Sequence, residues 1–454
     1  MIKVTEINPI KSHISDPSVI ANYLTYEDNW WRTGQWGKKI EMLRKKKLVD
    51  TKGFFLSGFF DRVVAYLEDN DYEVDWEYCD MYGEIQQGTP HLEGITFRDD
   101  QTHALFRMME SMRGVWQAPT AAGKTIIMCG LISAYIDEVP LIIVHTDDLF
   151  KQTVAELERF FSCSIGQIKG KNLDIKDINV GMIQTLNNIH KKEIDFDWDA
   201  FSMVIVDECH HVNSLDGSYA NVLKKMDAPL RFGFTATLPT TEKGTMSLEG
   251  LIGPKIGRTT YEELQEADVL ANPTIKIYKV PLDKHLKKMK GGYPAIYDAG
   301  IVYSKARNKL IAEKAAEQIT NGLTVLIIVE QVEHGEILQD ILDETLPGTF
   351  RFIHGNTDSL ERENEKGLLA NKSRKGIIAT RVWSEGTNIK TIGCVINAVG
   401  GKSSKASVQR FGRGMRKAEG KDRVLLIDFF DISNEYLIKH SGERICAYMD
   451  VGWM

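Results

Sequence analysis

The sequence lacks the features of a secreted, metal-binding or membrane protein. Its six cysteines are scattered, with no Cys-x-x-Cys pair and no Cys/His cluster at metal-ligand spacing. The first residues, MIKVTEINPIKSH, lack the apolar core of a signal peptide, and no run of 18 apolar residues occurs in the chain. We therefore expect a soluble, intracellular protein with reduced thiols, no structural zinc and no association with membranes.

An excess of positive charge is also missing. The formal net charge of -7 argues against a protein that coats nucleic acid passively, because contacts with phosphates must then come from local basic patches. Internal repeats and low-complexity segments are absent from the sequence. With 454 residues, the chain is long enough for two or three domains with ample cores.

Short apolar runs alternate with longer amphipathic segments from about residue 97 onward. The runs are rich in valine and isoleucine and short enough to be strands buried on both faces of a sheet. They occupy residues 114–117, 140–145, 180–184, 203–206, 230–234, 325–329, 350–353, 376–379, 394–397 and 424–428. Segments 147–161 and 304–321 suit crossover helices. The sequence therefore predicts an α/β fold with two successive parallel sheets of about five strands each.

Residues 270–300 separate the two sets of strands and contain prolines, a Gly-Gly turn and a lysine cluster. We expect a linker here, followed by an insertion or hairpin. The first 90 or so residues lack the strand–helix alternation and contain a basic and aromatic half, an amphipathic helix and an acidic stretch. The predicted organisation is a small α+β N-terminal domain at 1–92 and parallel-sheet domains at 93–268 and 269–454, with a basic insertion at about 283–299.

The segment APTAAGKT, residues 118–125, follows an apolar run and resembles the phosphate loop G-x-x-x-x-G-K-[ST]. Alanine replaces the first glycine, and a small residue can still make the tight turn. Backbone N–H groups at the start of the next helix would point at the phosphates. Lys124 would supply charge to the β- and γ-phosphates, and Thr125 a hydroxyl to Mg²⁺. The remaining residues of the predicted ATP-binding loop are Pro119, Thr120, Ala121, Ala122 and Gly123.

A second element, MVIVDECH at residues 203–210, is an apolar strand that ends in two carboxylates. Ligands bind at the carboxyl edge of parallel sheets, where both acids would lie. Asp207 can hold Mg²⁺ through its water shell, and Glu208 can polarise the attacking water. The alternative is an acidic pair that only caps the next helix; it would be preferred for an isolated Asp-Glu, but not beside a phosphate loop.

A third element, QRFGRGMR at residues 409–416, lies in the second set of strands. Arg413 and Arg416 are three residues apart and so share one face of a helix. If the two sheets face each other, both can stabilise charge on the γ-phosphate as arginine fingers. The alternative is a basic helix on the surface.

The order of four motifs along the chain resembles that of the superfamily 2 helicases over roughly residues 95–430. The motifs are the phosphate loop, the DECH box, Thr235-Ala-Thr237 and the Q-x-x-G-R-x-x-R segment. The resemblance implies two tandem RecA-like domains of the P-loop NTPase class, with ATP and Mg²⁺ as cofactors. It also implies that Thr235, Thr237 and His210 couple hydrolysis to DNA contact, and that Gln409 belongs to the catalytic set.

The family resemblance extends to two further segments. In the family, a segment like FRDDQ at residues 97–101 precedes the phosphate loop, and its glutamine contacts the adenine; Gln101 is the candidate here, with Arg98 beside it. The alternative is that Gln101 is simply an early helix residue. Residues 379–386 match the family's motif five and add Gly386 to the nucleotide site. Asn388 stands where the family commonly has aspartate, which leaves only a hydrogen-bonding role for that position.

Several segments indicate a branch of the family. The box is DECH and not DEAD, and the segments at 248–254, 260–264 and 270–273 look like those of XPB-type and UvsW-type DNA translocases. Arg307, FIHG at 352–355 and the following Glu361-Arg362 also fit that branch. The compact organisation with a small N-terminal module is most similar to the branch-migration helicases of tailed phages.

The resemblance also implies a path for single-stranded DNA along loops at the sheet edges. Small polar side chains suit phosphate contacts that are made and released in each cycle without reading sequence. The matching positions are Thr146, Gln152 and Thr185 in the first parallel-sheet domain and Thr380 and Arg381 in the second. Taken alone, each of these residues is more often an ordinary strand-end residue.

Two features of the sequence could recognise DNA branches. The first is a basic and aromatic region, whose tryptophans could stack on bases while its lysines meet phosphates; the alternative is a core of tryptophans with a solvated lysine face. It comprises Trp30, Trp31, Trp36 and the lysines at 45–47. The second is the cluster Lys284, Lys287, Lys288 and Lys290 beside a Gly-Gly pair. This cluster could be a strand-separating wedge, and the alternative is a charged linker.

The sequence thus predicts an ATP-dependent DNA helicase that unwinds or migrates forked and four-way-junction DNA. We expect it to act as a monomer, with DNA and replication or recombination proteins as partners. The alternatives are an RNA helicase, the DNA translocase subunit of a restriction system, and an ATP-gated clamp that holds DNA without cycling. The presence of Glu208 and the two arginines argues against the clamp.

Overall fold

The computed structural model describes residues 1–33, 39–119, 122–380, 391–401, 408, 411, 412, 415, 417 and 421–454, with the backbone alone at 30–33, 39–41 and 359. The chain forms two compact units, residues 1–118 with 123–259 and residues 119–122 with 260–454. The second unit therefore begins its main segment at Thr260, before the boundary at 268/269 that the sequence suggests. In the described part of the chain, no helix has the length and apolarity needed to cross a bilayer.

Among its described residues, the N-terminal part of the first unit contains a small sheet, a hairpin, one α-helix and short 3₁₀ turns. The sheet has the order β5-β2-β1-β6, with β1 and β6 parallel and the other pairs antiparallel. Helix α1 (Phe60–Asp69) buries Phe60, Val63, Val64 and Leu67, the spacing of an amphipathic helix. The strands are β1 (Ile2–Glu6), β2 (Lys11–Ile14), β3 (Thr25–Thr33), β4 (Lys39–Lys47), β5 (Phe54–Leu56) and β6 (Val74–Glu77), with β3 and β4 forming the hairpin.

The large sheet of the first unit has eight strands among the described residues, in the order β10-β9-β11-β8-β12-β13-β7-β14. All neighbours are parallel except β10 and β9. Its strands are β7 (Arg113–Gln117), β8 (Pro140–Val144), β9 (Ile165–Lys169), β10 (Asn172–Leu173), β11 (Ile178–Met182), β12 (Met203–Asp207), β13 (Leu230–Thr235) and β14 (Lys255–Arg258). Its helices are α2 (Asp99–Ser111), α3 (Lys124–Ala134), α4 (Asp147–Phe160), α5 (Ile183–Lys191), α6 (Ser218–Leu223) and α7 (Glu242–Leu251).

The second unit holds a sheet that is parallel throughout, in the order β15-β20-β19-β16-β18-β17. The strands are β15 (Asn272–Lys279), β16 (Val325–Val329), β17 (Phe350–Ile353), β18 (Gly376–Thr380), β19 (Cys394–Asn397) and β20 (Arg423–Phe430). The helices are α8 (Tyr261–Glu266), α9 (Lys284–Lys288), α10 (Tyr293–Tyr297), α11 (Lys305–Thr320), α12 (Val332–Thr345), α13 (Ser359–Ala370) and α14 (Glu435–Asp450). The fold is α/β with two tandem RecA-like parallel sheets, as the sequence predicts.

The structure corrects three details of the prediction. Each sheet has more strands than the expected five, because β9, β10, β14 and β15 are not among the apolar runs of the sequence. The run at 180–184 is not wholly a strand, since α5 begins at Ile183. The expected linker at 270–300 contains β15, an edge strand of the second sheet.

The lysine cluster after β15 is neither a hairpin nor an open linker. Its first residues form α9, whose N-terminal N–H groups at His285 and Leu286 are capped by the Asp283 carboxylate. Leu286 packs in an apolar cluster with Ile301 and Leu437, which holds the helix against α14. This apolar anchor is why the segment is ordered despite its charge. Residues 1–92 stay a proposed accessory domain, with their own sheet inside the first compact unit.

Candidate active site

Three sequence motifs meet at the carboxyl edge of the first large sheet. Strands β7, β13 and β12 are adjacent and parallel, and they end at Gln117, Thr235 and Asp207. Gln117 pairs with Thr235 in the register of β7 and β13, while Asp207 pairs with Phe234 in that of β12 and β13. The residues that follow these strands therefore converge on one edge, the place where parallel sheets bind ligands.

The phosphate loop leads into α3 through Gly123, whose φ of +81° is in the left-handed region. Lys124 is the first residue of that helix, and its Nζ lies 3.6 Å from Glu208 Oε1 and 3.4 Å from the Ala118 carbonyl oxygen. The Lys124 side chain is only 13% exposed, so its charge acts in a weakly screened environment. Pro119 and Ala122 are buried and Thr125 is half-buried, while Thr120 and Ala121 lie outside the described residues.

Gln101 and Arg98 pack against the backbone of the phosphate loop. Gln101 is 3% exposed, and its Oε1 accepts a hydrogen bond of 3.2 Å from the Arg98 N–H. The Arg98 guanidinium donates two bonds of 2.9 Å to the Asp100 carboxylate, which fixes its orientation. A Cβ built at Gly123 would lie 2.5 Å from Gln101 Nε2 and 3.7 Å from Arg98 Nη1. The family-derived candidates for the adenine end of the site are thus next to the loop.

The acidic pair forms the centre of a polar network. The backbone N–H of Glu208 donates to Asp207 Oδ1 at 2.9 Å, and Glu208 has a left-handed φ of +49°. Burial and the neighbouring Glu208 charge raise the pKa of Asp207 to about 6, although Lys124 opposes this shift. A positive φ at a non-glycine residue is costly and is typical of functional sites.

The network continues from Glu208 to the segment after β13. His210 Nδ1 lies 3.3 Å from Glu208 Oε2 and 3.0 Å from Thr235 Oγ1. The Thr235 hydroxyl donates to the Thr237 carbonyl oxygen at 2.9 Å. The structure therefore places the acidic pair next to His210 and Thr235, two of the residues that the family resemblance assigns to coupling.

The oxygen atoms around Asp207 and Thr125 suit a hard cation such as Mg²⁺, which prefers carboxylate, hydroxyl and water oxygens. Two carboxylates share this edge with one lysine, so a divalent cation would offset the burial and the Glu208 charge that raise the pKa of Asp207. Among the residues that the structure describes, no group of three or more His, Cys, Asp or Glu forms a complete metal cage.

Two family descriptions match the chain in tandem: the type III restriction enzyme res subunit over residues 94–240 and the helicase conserved C-terminal domain over residues 306–418. The chain belongs to the superfamily 2 helicases. The ATP-dependent DNA helicase UvsW of Enterobacteria phage T4 is 26% identical to it over 92% of this chain and 89% of the relative. The DNA 3'-5' translocase XPB2 of Sulfurisphaera tokodaii is 25% identical over 73% of this chain and 81% of the relative.

Solved structures share the fold of this helicase. The DUF1998 helicase MrfA bound to DNA and AMPPNP is 16% identical, with a TM-score of 0.59, and the match covers 80% of this chain and 54% of that one. The ATP-dependent type ISP restriction-modification enzyme LlaBIII bound to DNA is 14% identical, with a TM-score of 0.59, over 95% of this chain and 38% of that one. The two tandem domains and the UvsW- and XPB-type relatives make the chain an ATP-hydrolysing DNA helicase.

The DNA-contact candidates of the first unit lie along the same sheet edge, after β8 and β11. Thr146 caps α4, its Oγ1 accepting from the Leu149 N–H at 3.3 Å. Thr185 is in the first turn of α5, and its Oγ1 accepts from the Gly170 N–H at 2.9 Å. Gln152 lies half-buried in α4. In both bonds the threonine oxygen is the acceptor, and a hydroxyl group can also donate.

In the second unit, Thr380 ends β18 and is 6% exposed. Arg307, which fits the helicase branch in sequence, is fully buried and donates to Asp431 Oδ1 at 3.0 Å and to the Ala398 carbonyl at 2.8 Å. It therefore stabilises the core of this unit.

The remaining predicted residues lie outside the described residues: Arg381, Gly386, Asn388, Gln409, Arg413, Arg416 and Trp36. Trp30 and Trp31 are described only by their backbone.

Sequence reasoning missed Gln117. Its Nε2 donates to the Ala236 carbonyl at 3.3 Å, so it links the strand before the phosphate loop to the Thr235–Thr237 segment. The signal was a polar residue at the end of an otherwise apolar run, directly before the loop.

Proposed function

We propose that this helicase moves along DNA and unwinds or migrates forks and four-way junctions in replication, recombination or repair. The observation that supports a branched substrate is the β3–β4 hairpin. Each of its strands has nine residues, so the ribbon is about 30 Å long. A two-stranded ribbon of this kind fits the major groove of duplex DNA.

The hairpin carries a local positive surface on a chain of net charge -7. Lys45 and Lys47 are exposed on one face of β4 with the exposed Leu43, while the exposed Met42 and Arg44 alternate with them on the other face. Lys45 is 4.0 Å from Glu27 across the hairpin, an exposed pair of little strength that phosphates can replace. Cationic and apolar side chains together suit a surface that meets both the backbone and the unstacked bases of a junction.

The ATP site supports specific roles for its residues. Lys124 binds the β- and γ-phosphates, and Gln101 with Arg98 lies at the adenine end. Thr125 and Asp207 would hold Mg²⁺, and the cation would supply positive charge that offsets the charge of the phosphates. Glu208 accepts a proton from the attacking water, and the His210–Thr235–Thr237 network transmits the change in its charge. The family resemblance assigns Arg413, Arg416 and Gln409, which lie outside the described residues, to charge stabilisation in the transition state.

The test is ATP-driven dissociation of a synthetic four-way DNA junction, compared with a matched RNA duplex, by the wild type and by Glu208→Gln. Junction processing by the wild type alone supports the proposal. Robust RNA unwinding with inert junctions contradicts it and favours an RNA helicase. Junction binding without ATP turnover favours the clamp.

A second pair of variants tests the hairpin surface. Lys45→Glu/Lys47→Glu reverses its charge, and Lys191→Glu/Lys192→Glu makes the same change at exposed lysines at the end of α5. The hairpin pair should weaken junction binding about tenfold while the control pair does not, because two phosphate contacts become repulsive. Equal effects would indicate a non-specific charge effect.

The match to the type III restriction res subunit favours a second candidate, a translocase that moves along duplex DNA without separating strands. ATP hydrolysis stimulated equally by linear duplex and by junctions, with displacement of a third strand from a triplex but no junction dissociation, would support this candidate.

A further inference from the structure

The base of the β3–β4 hairpin is held by three polar contacts with the motor part of the first unit. Asp28 Oδ2 lies 3.0 Å from Lys243 Nζ, and the Glu27 N–H donates to Glu242 Oε2 at 3.2 Å. On the other strand, Lys46 Nζ donates to Asp216 Oδ2 at 2.8 Å. The hydrogen bond from Lys46 lowers the pKa of Asp216, the direction expected for a formed ion pair.

Each partner of the hairpin follows a motif of the ATP site along the chain. Asp216 lies in the loop after the DECH box and the 3₁₀ turn Cys209–His211. Glu242 and Lys243 form the first turn of α7, directly after the Thr235–Thr237 segment. The two segments that flank the Glu208–His210–Thr235 network therefore both end on the hairpin.

The connection to α7 is short and well packed. The Thr241 hydroxyl caps the helix by accepting from the Gly244 N–H at 3.1 Å, and the Thr245 hydroxyl donates to the Pro239 carbonyl at 3.4 Å. A Cβ at Gly244 would lie 2.7 Å from Pro239 Cβ, so the helix start rests directly on the segment that leaves the ATP site. A displacement at Thr237 would thus move the first turn of α7 and the hairpin contacts with it.

The hairpin base has an apolar anchor as well as the ion pairs. Tyr26 is 1% exposed and Val49 is 6% exposed, so these residues keep the strands attached to the unit. Asp28 and Lys243 are about a third exposed, 30% and 31%, at the edge of this anchor. Loss of an ion pair would therefore change the orientation of the hairpin more than its folding.

We propose that these ion pairs form a joint through which ATP turnover and the hairpin influence each other, with Asp28, Lys46, Asp216 and Lys243 as positioning residues for the branched-DNA reaction. The inference rests on the proposed function, since it assumes that the hairpin contacts DNA. Binding of a junction to the hairpin would then raise ATP turnover, and by linkage the nucleotide state would alter junction affinity.

The test compares a charge-reversal cycle, Lys243→Glu, Asp28→Lys and the double variant, with a matched ion pair on the same helix. In the matched pair, Arg62 Nη1 lies 2.8 Å from Glu249 Oε2 and ties α1, not the hairpin, to α7. ATP hydrolysis is measured without DNA, with single-stranded DNA and over a range of junction concentrations.

Lys243→Glu should lower the junction-stimulated kcat about fivefold or more, because the coupling free energy between the hairpin and the ATP site is lost. Hydrolysis without DNA should stay unchanged. The junction concentration at half-stimulation should change less than kcat. The double variant should restore the stimulation, whereas Arg62→Glu should leave it at the wild-type level. If Lys243→Glu does not fold, as judged by circular dichroism, the Lys46→Asp/Asp216→Lys cycle replaces it.

Three results would each overturn the joint. Junctions could stimulate ATP hydrolysis by Lys243→Glu as strongly as by the wild type, the double variant could fail to regain the stimulation, or Arg62→Glu could lose as much stimulation as Lys243→Glu. The proposed function fails in a different way. If junctions do not stimulate the wild type, or if Lys45→Glu/Lys47→Glu responds normally to them, the hairpin is not the DNA contact, and the joint falls with it.

Discussion

Substitution of Gly123 by alanine tests the packing of the phosphate loop on Gln101. The new Cβ would lie 2.5 Å from Gln101 Nε2, well inside van der Waals contact. Gln101 is 3% exposed and its Oε1 is bonded to the Arg98 N–H, so it cannot move away freely. The left-handed φ of +81° adds a backbone cost that alanine pays and glycine does not.

Two contributions set the size of the effect. The backbone conformation costs alanine about 1 kcal/mol, and displacement of Gln101 from its hydrogen bond costs about another 1 kcal/mol. Because the loop must keep its shape to bind the phosphates, we expect a loss of about 2 kcal/mol in nucleotide binding, roughly thirtyfold in ATP affinity.

The measurement is ATP affinity by fluorescence titration, together with the urea midpoint of each variant. Gly94→Ala is the matched control, since Gly94 has a φ of +72° and open space around its Cβ position. It should show the backbone cost in stability and leave ATP affinity unchanged. Gly123→Ala/Gln101→Ala should regain part of the stability lost by Gly123→Ala alone. An ATP affinity of Gly123→Ala within about twofold of the wild type would refute the reasoning.

Three further predictions follow from buried or catalytic groups. Glu208→Gln should lower ATP hydrolysis about a hundredfold or more while ATP still binds, since the amide cannot take a proton from water; phosphate release and nucleotide titration check this. Arg231→Met should cost about 3 kcal/mol of unfolding free energy, because this fully buried guanidinium donates to the backbone carbonyls of Leu223, Met226 and Leu251, which would lose their partner; unchanged urea unfolding would contradict it. Burial and the Arg307 charge lower the pKa of His334 to about 3. The neutral form of His334 therefore contributes stability above the unfolded pKa of about 6.5. This stability is lost as the pH falls toward 3, by about 1.4 kcal/mol per pH unit. His334→Gln should therefore lose less stability than the wild type between pH 7.5 and about 5.5, as measured by urea midpoints.

The interior of both sheets could be predicted from sequence because fully buried parallel strands are apolar on both faces. Strands β8, β16 and β18, for example, are buried at every position. The missed strands include β14 and β15, which lie at sheet edges. In β15, exposed and half-buried positions alternate along NPTIKIYK, so the segment has the polar composition of a linker. An edge strand needs only one partner and one covered face, and an apolar run is then not required.

The candidate site could be predicted in part for a similar reason. The order of motifs places Asp207 and Thr235 at strand ends and Lys124 at the start of the helix that follows β7, and parallel topology brings these positions to one edge. The packing of Gln101 against Gly123 could be expected only from the family resemblance. The pair Asp28–Lys243 could not be expected at all, since 215 positions separate the two residues and neither lies in a recognisable pattern.

The accessory part and the motor part of the first unit share one apolar core. The cluster runs from Val4 and Phe59 in the N-terminal part to Leu141 and Val204 in the large sheet. Two glycines permit the close approach of α7: a Cβ at Gly58 would collide with the Glu249 carbonyl oxygen, and a Cβ at Gly250 would lie 2.7 Å from Phe59.

This shared core decides how the N-terminal part can be studied. Deletion of residues 1–92 would expose apolar surface on α7 and the large sheet, so the truncated protein should aggregate or bind hydrophobic dyes. Lost activity in such a protein would say nothing about DNA contacts, because the helix that leaves the ATP site would have lost its packing partner Phe59. Substitutions on the exposed hairpin face leave that packing intact and separate the two effects. A truncated protein that stays monomeric, binds no dye and hydrolyses ATP normally without DNA would show that the core is divided at this boundary after all.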